Sequence, residues 1–239
     1  MSDTLRIALV AEGVTDYEVL NAAIESMLNG RSFVLTLFQP EGSMAFSGGG
    51  NVGSFGGGWK GVYRWCIQAT QRSGGKLSDD PLFLGYDLLL LHLDADVADE
   101  DPSNSLIFPM PELTGVLPCY QPCPPPSSTT DALRKVILSW VGEVQTPPKT
   151  VLCTPSKSTE AWVMAAVFPK DKEVVKPGWE CYPKPENRLG QQAKAKRFAK
   201  HQQDYATRRS ELQAGWPSVV ARLTEARRFQ NDFMTAIPI

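Results

Sequence analysis

Four short apolar runs alternate along the chain with stretches in which apolar residues recur at helical spacing. The runs are TLRIALVAEG from Thr4, SFVLTLFQP from Ser32, YDLLLLHLDAD from Tyr86 and KTVLCTP from Lys149. Short runs of this kind, bounded by Gly, Pro or charged residues, are typical of buried strands. Since strands that alternate with helices form parallel sheets, the pattern predicts an α/β fold whose third and most apolar strand is central.

The stretches between and after the strands predict four helices. The first is expected to have Thr15 as its N-cap and Glu18 at the third helical position, which completes a capping box. The other three are predicted at 59–73, at 131–144 with Asp131 as the N-cap, and at 158–169.

Two segments interrupt this alternation of strands and helices. Residues 41–61 are rich in Gly, and residues 102–130 are rich in Pro and Ser. Neither composition buries enough apolar surface to offset the entropy of ordering the chain, so we predict two irregular insertions. Both lie inside an α/β domain that we assign to residues 1–170.

The rest of the chain, residues 171–239, is predicted to be a helical C-terminal extension. From Leu189 onward the pattern indicates two long helices that are divided at Gly215 and Pro217. Residues 184–228 contain 11 Lys/Arg against 4 Asp/Glu, while the remainder of the chain has 13 against 22. This separation of charge indicates an acidic site and a separate basic surface, although a solvated helical face also explains the basic residues.

The cysteines and the N-terminus bear on the compartment. The five cysteines are scattered, and no secretory leader is visible in MSDTLRIALV. These features predict reduced thiols and a cytoplasmic protein. Cys119 and Cys123 have the spacing of half a zinc site, but no second pair follows them, so we expect no zinc site there. No apolar run approaches the length of a membrane helix, and we expect no membrane contact.

Acidic residues follow two of the predicted strands at the point where each strand ends. Glu12 ends the first strand, and Asp94 and Asp96 end the third, at the start of the acidic stretch DADVADED. Ligands of parallel α/β sheets bind beyond the carboxyl ends of the strands, and residues spaced by two on a strand point to one face. Three carboxylates in one crevice repel each other, and a divalent cation removes that repulsion. The oxygen-only ligand set predicts Mg²⁺ or Mn²⁺.

Several of these acids also have simpler explanations. Asp16 lies in the first turn of a predicted helix, where a negative charge interacts favourably with the helix dipole. Residues 99–101 fit a solvated loop. Asp94 and Asp96 on their own fit a loop as well. Their combination with Glu12, which ends an apolar strand where alanine would serve, favours a metal site.

The order of three short motifs resembles the TOPRIM domain of topoisomerases, primases and OLD-family nucleases. The motifs are VAEGVTD after the first strand, LHLDAD about eighty residues later and STEAWVMAAVF after the fourth strand. The resemblance covers Thr4 to Phe168 and is closest to small stand-alone TOPRIM-like proteins of bacterial and phage defence loci. It implies a small, Rossmann-like parallel-sheet domain. The two insertions are longer than such a domain needs, and no topoisomerase-type tyrosine nucleophile can be singled out.

The resemblance implies roles for five carboxylates. Glu12 matches the family's catalytic glutamate, and Asp94 and Asp96 match its catalytic, metal-binding pair. Asp16 stands where many members have an acid, which adds it to the metal ligands. Glu160, in the E-x-W context of the third motif, contacts the metal or holds its ligands; a first-turn acid of a capped helix explains it equally well.

The implied function is a Mg²⁺-dependent nuclease that cleaves DNA or RNA as an effector of anti-phage defence. Basic residues of the extension and of the second helix offer contacts to the phosphate backbone. They are Lys194, Arg197, Lys200, Arg208 and Arg209, with Lys60 and Arg64 in the second helix. The alternatives are a non-catalytic interaction or nucleic-acid-binding module that works with a partner ATPase, and a nucleotidyl transferase of primase type. The sequence leaves homo-oligomerisation open.

Overall fold

The computed structural model describes residues 4–40, 55–101, 116–193, 197–198 and 201–238. Most of the Gly-rich insertion and the first half of the Pro-rich insertion lie outside the described residues, as do Lys194 and Lys200. Within the described ranges, the predicted α/β fold with a parallel sheet is confirmed.

A four-stranded sheet forms the centre of the fold. Its strands are β1 Leu5–Val10, β2 Phe33–Gln39, β3 Leu88–His92 and β4 Thr150–Cys153. All neighbouring strands pair in parallel, in the order β2-β1-β3-β4. β3 is central, as predicted, since it pairs on both sides and every one of its residues is buried.

Eight α-helices surround the sheet in the part of the chain that the structure describes. They are α1 Val14–Leu28, α2 Gly58–Arg72, α3 Ser127–Trp140, α4 Glu160–Val167, α5 Pro185–Gly190, α6 Gln202–Thr207, α7 Arg209–Arg222 and α8 Thr224–Ala236. Short 3₁₀ helices occur at Leu77–Asp79, Pro81–Leu84, Ala95–Asp99 and Trp179–Cys181. The predicted N-cap of the third helix is wrong, because α3 begins before Asp131 and includes it.

Alternate residues of the strands face two separate apolar layers, as the two-residue period of a strand requires. Ile7 and Leu90 belong to a layer with α1, α4, α7 and α8. Ala8 and Leu89 belong to a layer with α2 and α3. Because helices cover both faces of the sheet, its central strands are almost uniformly apolar.

The C-terminal helices complete the first of these layers. Trp216 of α7 and Phe229 of α8 pack against Trp162 of α4, with ring centroids 5.4 and 5.8 Å apart. All three side chains are buried. The extension is therefore helical, and it shares its hydrophobic core with the sheet.

The predicted division of the C-terminal helices at Gly215 and Pro217 is wrong. α7 runs through both residues, and the break lies at Leu223, whose backbone is extended. The carboxylate of Glu180 accepts hydrogen bonds of 2.7 Å from the first two backbone N–H groups of α8 and so caps this helix. A cap supplied from 44 positions away has no local sequence signal. The long helix predicted from Leu189 is also wrong, because α5, α6 and α7 replace it.

Two features bear on the predicted location. A disulfide bond joins Cys123 to Cys181, so the prediction that all thiols are reduced is wrong. The two residues are 58 positions apart and meet only in the folded chain. The cysteine pattern thus gives no support for a cytoplasmic location, which stays a prediction. None of the helices within the described ranges has the length and apolarity that crossing a membrane requires.

The contact between α7 and α4 predicts a specific sensitivity at Gly215. A Cβ atom there would lie 2.5 Å from the carbonyl oxygen of Ala166, which is shorter than Cβ contacts in proteins. We expect Gly215→Ala to lower the free energy of unfolding by about 1–3 kcal/mol, because the two helices must move apart. Thermal and urea unfolding measure this change.

The matched control is Gly190→Ala, because a Cβ atom at Gly190 meets no neighbour within 4 Å. This variant should be neutral or slightly more stable than the wild type. Equal stability of the two variants would contradict the close approach of α7 to α4.

Candidate metal centre

In open parallel sheets, ligands bind beyond the carboxyl ends of neighbouring strands whose following helices cover opposite faces. In this protein, those strands are β1 and β3. These strands are adjacent, and the helices that follow them, α1 and α3, cover opposite faces of the sheet. The chain therefore leaves the two strands in opposite directions and opens a crevice beyond them. Glu12 follows β1 closely, and Asp94 follows β3.

Glu12 connects the ends of three elements. Its Oε1 accepts a hydrogen bond of 2.8 Å from the backbone N–H of Asp94. Its carbonyl oxygen accepts one of 3.0 Å from the N–H of Gly58, at the start of α2. The side chain of Glu12 is thus held between the two central strands, where the sequence predicted it.

Asp94 and Asp96 share the crevice with Glu12, but the predicted reason is wrong. β3 ends at His92, so the two aspartates do not alternate along a strand. Instead, Asp94 is the N-cap of the 3₁₀ helix Ala95–Asp99, and Asp96 lies in its first turn. Hydrogen bonds of 3.0 Å from the first two N–H groups of this helix reach carbonyl oxygens of the β4–α4 loop. One carboxylate oxygen from each of Glu12, Asp94 and Asp96 lies within 4.8 Å of the others.

Asp16 is more than a solvated first-turn acid, because each of its carboxylate oxygens accepts a hydrogen bond from another residue. α1 begins directly after Gly13, which already has the extended backbone of an N-cap, so the predicted capping box of Thr15 and Glu18 is wrong. Asp16 supplies the reciprocal bond: its Oδ2 accepts from the Gly13 N–H at 3.0 Å. Its Oδ1 accepts from the hydroxyl of Thr159 at 2.7 Å, which connects α1 to the start of α4.

Glu160 lies in the same pocket as the other four predicted carboxylates. It is the first residue of α4, and its side chain is buried. Its position therefore fits both explanations that the sequence left open. The pocket has a volume of about 250 Å³ and is lined by Glu12, Gly13, Thr15, Asp16, Asp94, Asp96, Ser158, Glu160 and Glu186.

Two further residues of the site escaped the sequence analysis. Glu186 lies in the first turn of α5 and reaches the pocket from the C-terminal segment, where no motif marks it. His92 is the last residue of β3, and its side chain is completely buried. Its Nε2 lies 3.2 Å from Oδ1 of Asp94. The available signal was a single histidine inside the apolar run LLLLHL.

Burial and mutual repulsion act on the carboxylates of the pocket. Burial raises the pKa of Glu12 well above its usual value, and the charges of Asp94 and Asp16 raise it further. Burial likewise raises the pKa of Asp94, and the charges of Asp16 and Asp96 add to the effect. Bringing these groups together without a counter-charge costs stability. No lysine or arginine of the described residues lines the pocket, so the donor set fits a hard divalent cation such as Mg²⁺ or Mn²⁺.

Two of the predicted nucleic-acid contacts form ion pairs within the chain. Arg209 pairs with the buried Glu18 at 2.5 Å. Arg208 pairs with Glu211, and its guanidinium group lies 4.2 Å from the ring centroid of Phe198. Both arginines are therefore engaged in contacts within the chain, and a role in nucleic-acid binding stays a prediction.

The remaining predicted contacts are placed differently. Arg197 and Arg64 are exposed, and Arg64 donates a hydrogen bond of 2.7 Å to the carbonyl oxygen of Phe55. Lys60 lies in the first turn of α2, the helix whose start contacts Glu12. For Lys194 and Lys200, which lie outside the described ranges, the prediction stands without a structural description.

A larger cavity, about 970 Å³, lies along the outer edge of β4 between α3 and α8. Four of its charged side chains form ion pairs across it: Arg134 with Asp232 at 3.4 Å, and Arg228 with Asp131. It shares no lining residue with the acidic pocket. The carboxylate site is therefore the stronger candidate for chemistry.

Comparisons of the chain with protein-family models, with curated proteins and with solved structures give no match. A functional assignment therefore depends on the residues of the acidic pocket and on their geometry.

The raised pKa values of Glu12 and Asp94 predict how the stability of the metal-free protein depends on pH. The pKa of each group is higher in the folded chain than in the unfolded chain. At any pH between its unfolded and its folded pKa, the folded state therefore binds more protons than the unfolded state. The free energy of unfolding therefore falls as the pH rises above the unfolded pKa values of about 4 towards the folded pKa values. The slope is at most about 1.4 kcal/mol per pH unit for each group.

We expect the melting temperature of metal-free protein to decrease as the pH rises above about 5. Glu12→Gln and Asp94→Asn should raise it at the higher pH and flatten the dependence, and added Mn²⁺ should do the same for the wild type. Circular dichroism with a chelator measures these curves. A wild-type curve that coincides with those of both variants would contradict the raised pKa values.

Proposed function

We propose that this protein is a Mg²⁺- or Mn²⁺-dependent nuclease of TOPRIM type that hydrolyses phosphodiester bonds of DNA or RNA. The observation that carries the proposal is the approach of Glu12, Asp94 and Asp96, from two separate strand ends, to within 4.8 Å of one another. Asp16 and Glu160 line the same pocket. That the three motifs of the TOPRIM resemblance meet in one pocket supports the proposal.

The residues of the pocket have distinct roles in this proposal. Glu12, Asp94 and Asp96 would hold the cation, with Asp16 and Glu160 beside it. The cation would supply positive charge against the scissile phosphate and make a coordinated water more acidic. In the alternative role, Glu12 acts as general acid or base instead of holding the cation, and a raised pKa favours that role. The bond of 2.8 Å from the Asp94 N–H fixes the orientation of the Glu12 carboxylate.

The acidic pocket by itself repels a nucleic acid, so positive charge must come from elsewhere. The exposed Arg197, and Lys60 and Arg64 on α2, supply such charge in this proposal. Contacts of this type bind the phosphate backbone without sequence specificity. The role as an effector of anti-phage defence and the partnership with an ATPase depend on the TOPRIM resemblance alone.

A non-catalytic module that binds nucleic acid or a partner is the second candidate. Arg208 and Arg209 are engaged in ion pairs within the chain, so they offer less positive charge to a nucleic acid than the sequence suggested. This observation favours a module that binds a partner protein. Such a module keeps its binding activity when the carboxylates are neutralised, whereas a nuclease loses cleavage.

Neutralising the carboxylates tests the proposed chemistry. We expect Glu12→Gln and Asp94→Asn to reduce metal-dependent cleavage by about 10²- to 10⁴-fold, because each removes a group that holds the cation or exchanges a proton. Cleavage of labelled single- and double-stranded DNA and RNA is measured on denaturing gels, with Mg²⁺, Mn²⁺ or a chelator.

Glu100→Gln is the matched control for these variants. It removes an exposed acid from the same acidic stretch, outside the pocket, and should leave cleavage unchanged. Nucleic-acid binding without cleavage by the wild type, unaffected by the pocket variants, would favour the binding module. Cleavage that survives both pocket variants would contradict the proposed mechanism.

Arg197 and Arg209 are predicted to differ in what their removal changes. Arg197→Ala should weaken nucleic-acid binding and leave stability unchanged. It should reduce the slope of the logarithm of the binding constant against the logarithm of the salt concentration by about one.

Arg209→Ala should lower the free energy of unfolding by about 1–3 kcal/mol, because buried Glu18 loses its guanidinium partner. The effect is smaller than for a fully buried pair because the Arg209 side chain is 36% exposed.

Filter binding over a salt series and thermal unfolding measure the two effects. An Arg209→Ala protein of wild-type stability that binds nucleic acid weakly would contradict the structural role of Arg209.

A further inference from the structure

His92 is a buried polar residue next to the acidic pocket. Its side chain is completely buried at the end of β3, and neither ring nitrogen has a hydrogen-bond partner within the described part of the chain. Buried polar groups in proteins are almost always paired, because desolvating them without a partner costs free energy. A neutral imidazole is also the commonest side-chain ligand for metals. A buried imidazole without a hydrogen-bond partner among the described residues, beside an acidic pocket, is therefore a candidate metal ligand.

Two carboxylates lie close to this ring. Nε2 of His92 is 3.2 Å from Oδ1 of Asp94, although the geometry is not that of a hydrogen bond. One atom each of His92, Asp94 and Asp16 lies within 4.8 Å of the others. Adjacent ligands of an octahedral ion lie about 3.0 Å apart when the metal–ligand bonds are about 2.1 Å long. A single ion can therefore bridge the three side chains with small adjustments.

Thr159 orients both carboxylates of this group. Its hydroxyl donates to Oδ1 of Asp16 at 2.7 Å, and its backbone N–H donates to Oδ1 of Asp94 at 3.1 Å. Each carboxylate offers about four lone-pair positions, so lone pairs remain for a metal. Hydrogen bonds that fix the direction of ligating carboxylates are a general feature of metal sites.

We propose that Asp16, His92 and Asp94 form a second divalent-cation position, next to the one made by Glu12, Asp94 and Asp96. The two positions share Asp94, and the inference rests on the proposed function because it extends the same metal centre. The second position lies deeper in the protein, since Asp16 and His92 are buried whereas Asp96 is exposed.

The nitrogen donor determines the class of metal. Imidazole favours first-row transition metals, whereas Mg²⁺ prefers oxygen ligands and retains several waters, for which a buried position has little space. The second position therefore takes a transition-metal dication and discriminates against Mg²⁺. Two cations that share a carboxylate can stabilise both the attacking and the leaving oxygen of a phosphodiester.

The test uses Mn²⁺ as the probe on the metal-free, full-length chain. Isothermal titration counts the bound ions, and pulsed electron paramagnetic resonance detects the nitrogen of an imidazole that binds Mn²⁺. We expect the wild type to bind two Mn²⁺ but one Mg²⁺, with imidazole nitrogen modulation in the state with two Mn²⁺. His92→Leu should bind one Mn²⁺, lose the modulation and keep its Mg²⁺ affinity.

The chain contains two histidines, which provides a matched control. His201 is exposed and directly precedes α6, so His201→Asn should keep both the ion count and the modulation. If His92→Leu does not fold, as judged by circular dichroism, His92→Asn replaces it with a polar side chain that also lacks the imidazole.

The outcomes separate this inference from the proposed function. One bound Mn²⁺ without nitrogen modulation in the wild type overturns the second position and leaves the nuclease proposal intact. Modulation that persists in the folded His92 variant also overturns it. Two Mn²⁺ with modulation that depends on His92, in a protein that cleaves no nucleic acid, supports the second position and contradicts the nuclease. A folded wild type that binds neither metal contradicts both.

Discussion

A hydrogen bond of 2.8 Å from the backbone N–H of Asp94 to Oε1 of Glu12 connects the ends of the two central strands. This bond requires β1 and β3 to be parallel neighbours, with Val10 opposite Leu91 in the last pair of their ladder. Beyond it, the chain turns to opposite faces of the sheet, and the remaining carboxylates meet in the crevice that this opens. The apolar layers on the two faces hold the strands in this register, so the hydrophobic core determines the geometry of the acidic pocket.

The C-terminal helices, which the sequence predicted as a helical extension, support the pocket from one side. Trp216 and Phe229 pack on Trp162 and so hold α4 against the sheet. The residue before α4 is Thr159, which orients Asp16 and Asp94, and its first residue is Glu160. A cluster of buried carboxylates is destabilising without a counter-charge. The aromatic packing behind α4 fixes the positions from which these acidic groups face one another.

The distribution of charge along the chain has two origins that composition does not separate. The basic segment indicated a surface for nucleic acid, yet Arg209 neutralises the buried Glu18 and Arg208 pairs with Glu211. Part of the excess positive charge therefore compensates acids of the fold itself. Arg197, by contrast, is exposed. A count of charges predicts that a basic region exists, whereas the direction of each side chain depends on which helices pack together.

Hydrophobic periodicity is a local property, so the sequence by itself determined the four strands, their alternation with helices and the acids at the ends of β1 and β3. The same local signals failed where a distant residue decides the outcome. Glu180 caps α8 from 44 positions away, and Cys123 meets Cys181 across 58. Only the tertiary structure brings Thr159 to Asp16 and to Asp94, because hydrogen bonds and burial at the pocket depend on strand order and on packing between elements. The types of residue in the pocket were thus readable from the chain, and their mutual geometry was decided by the fold.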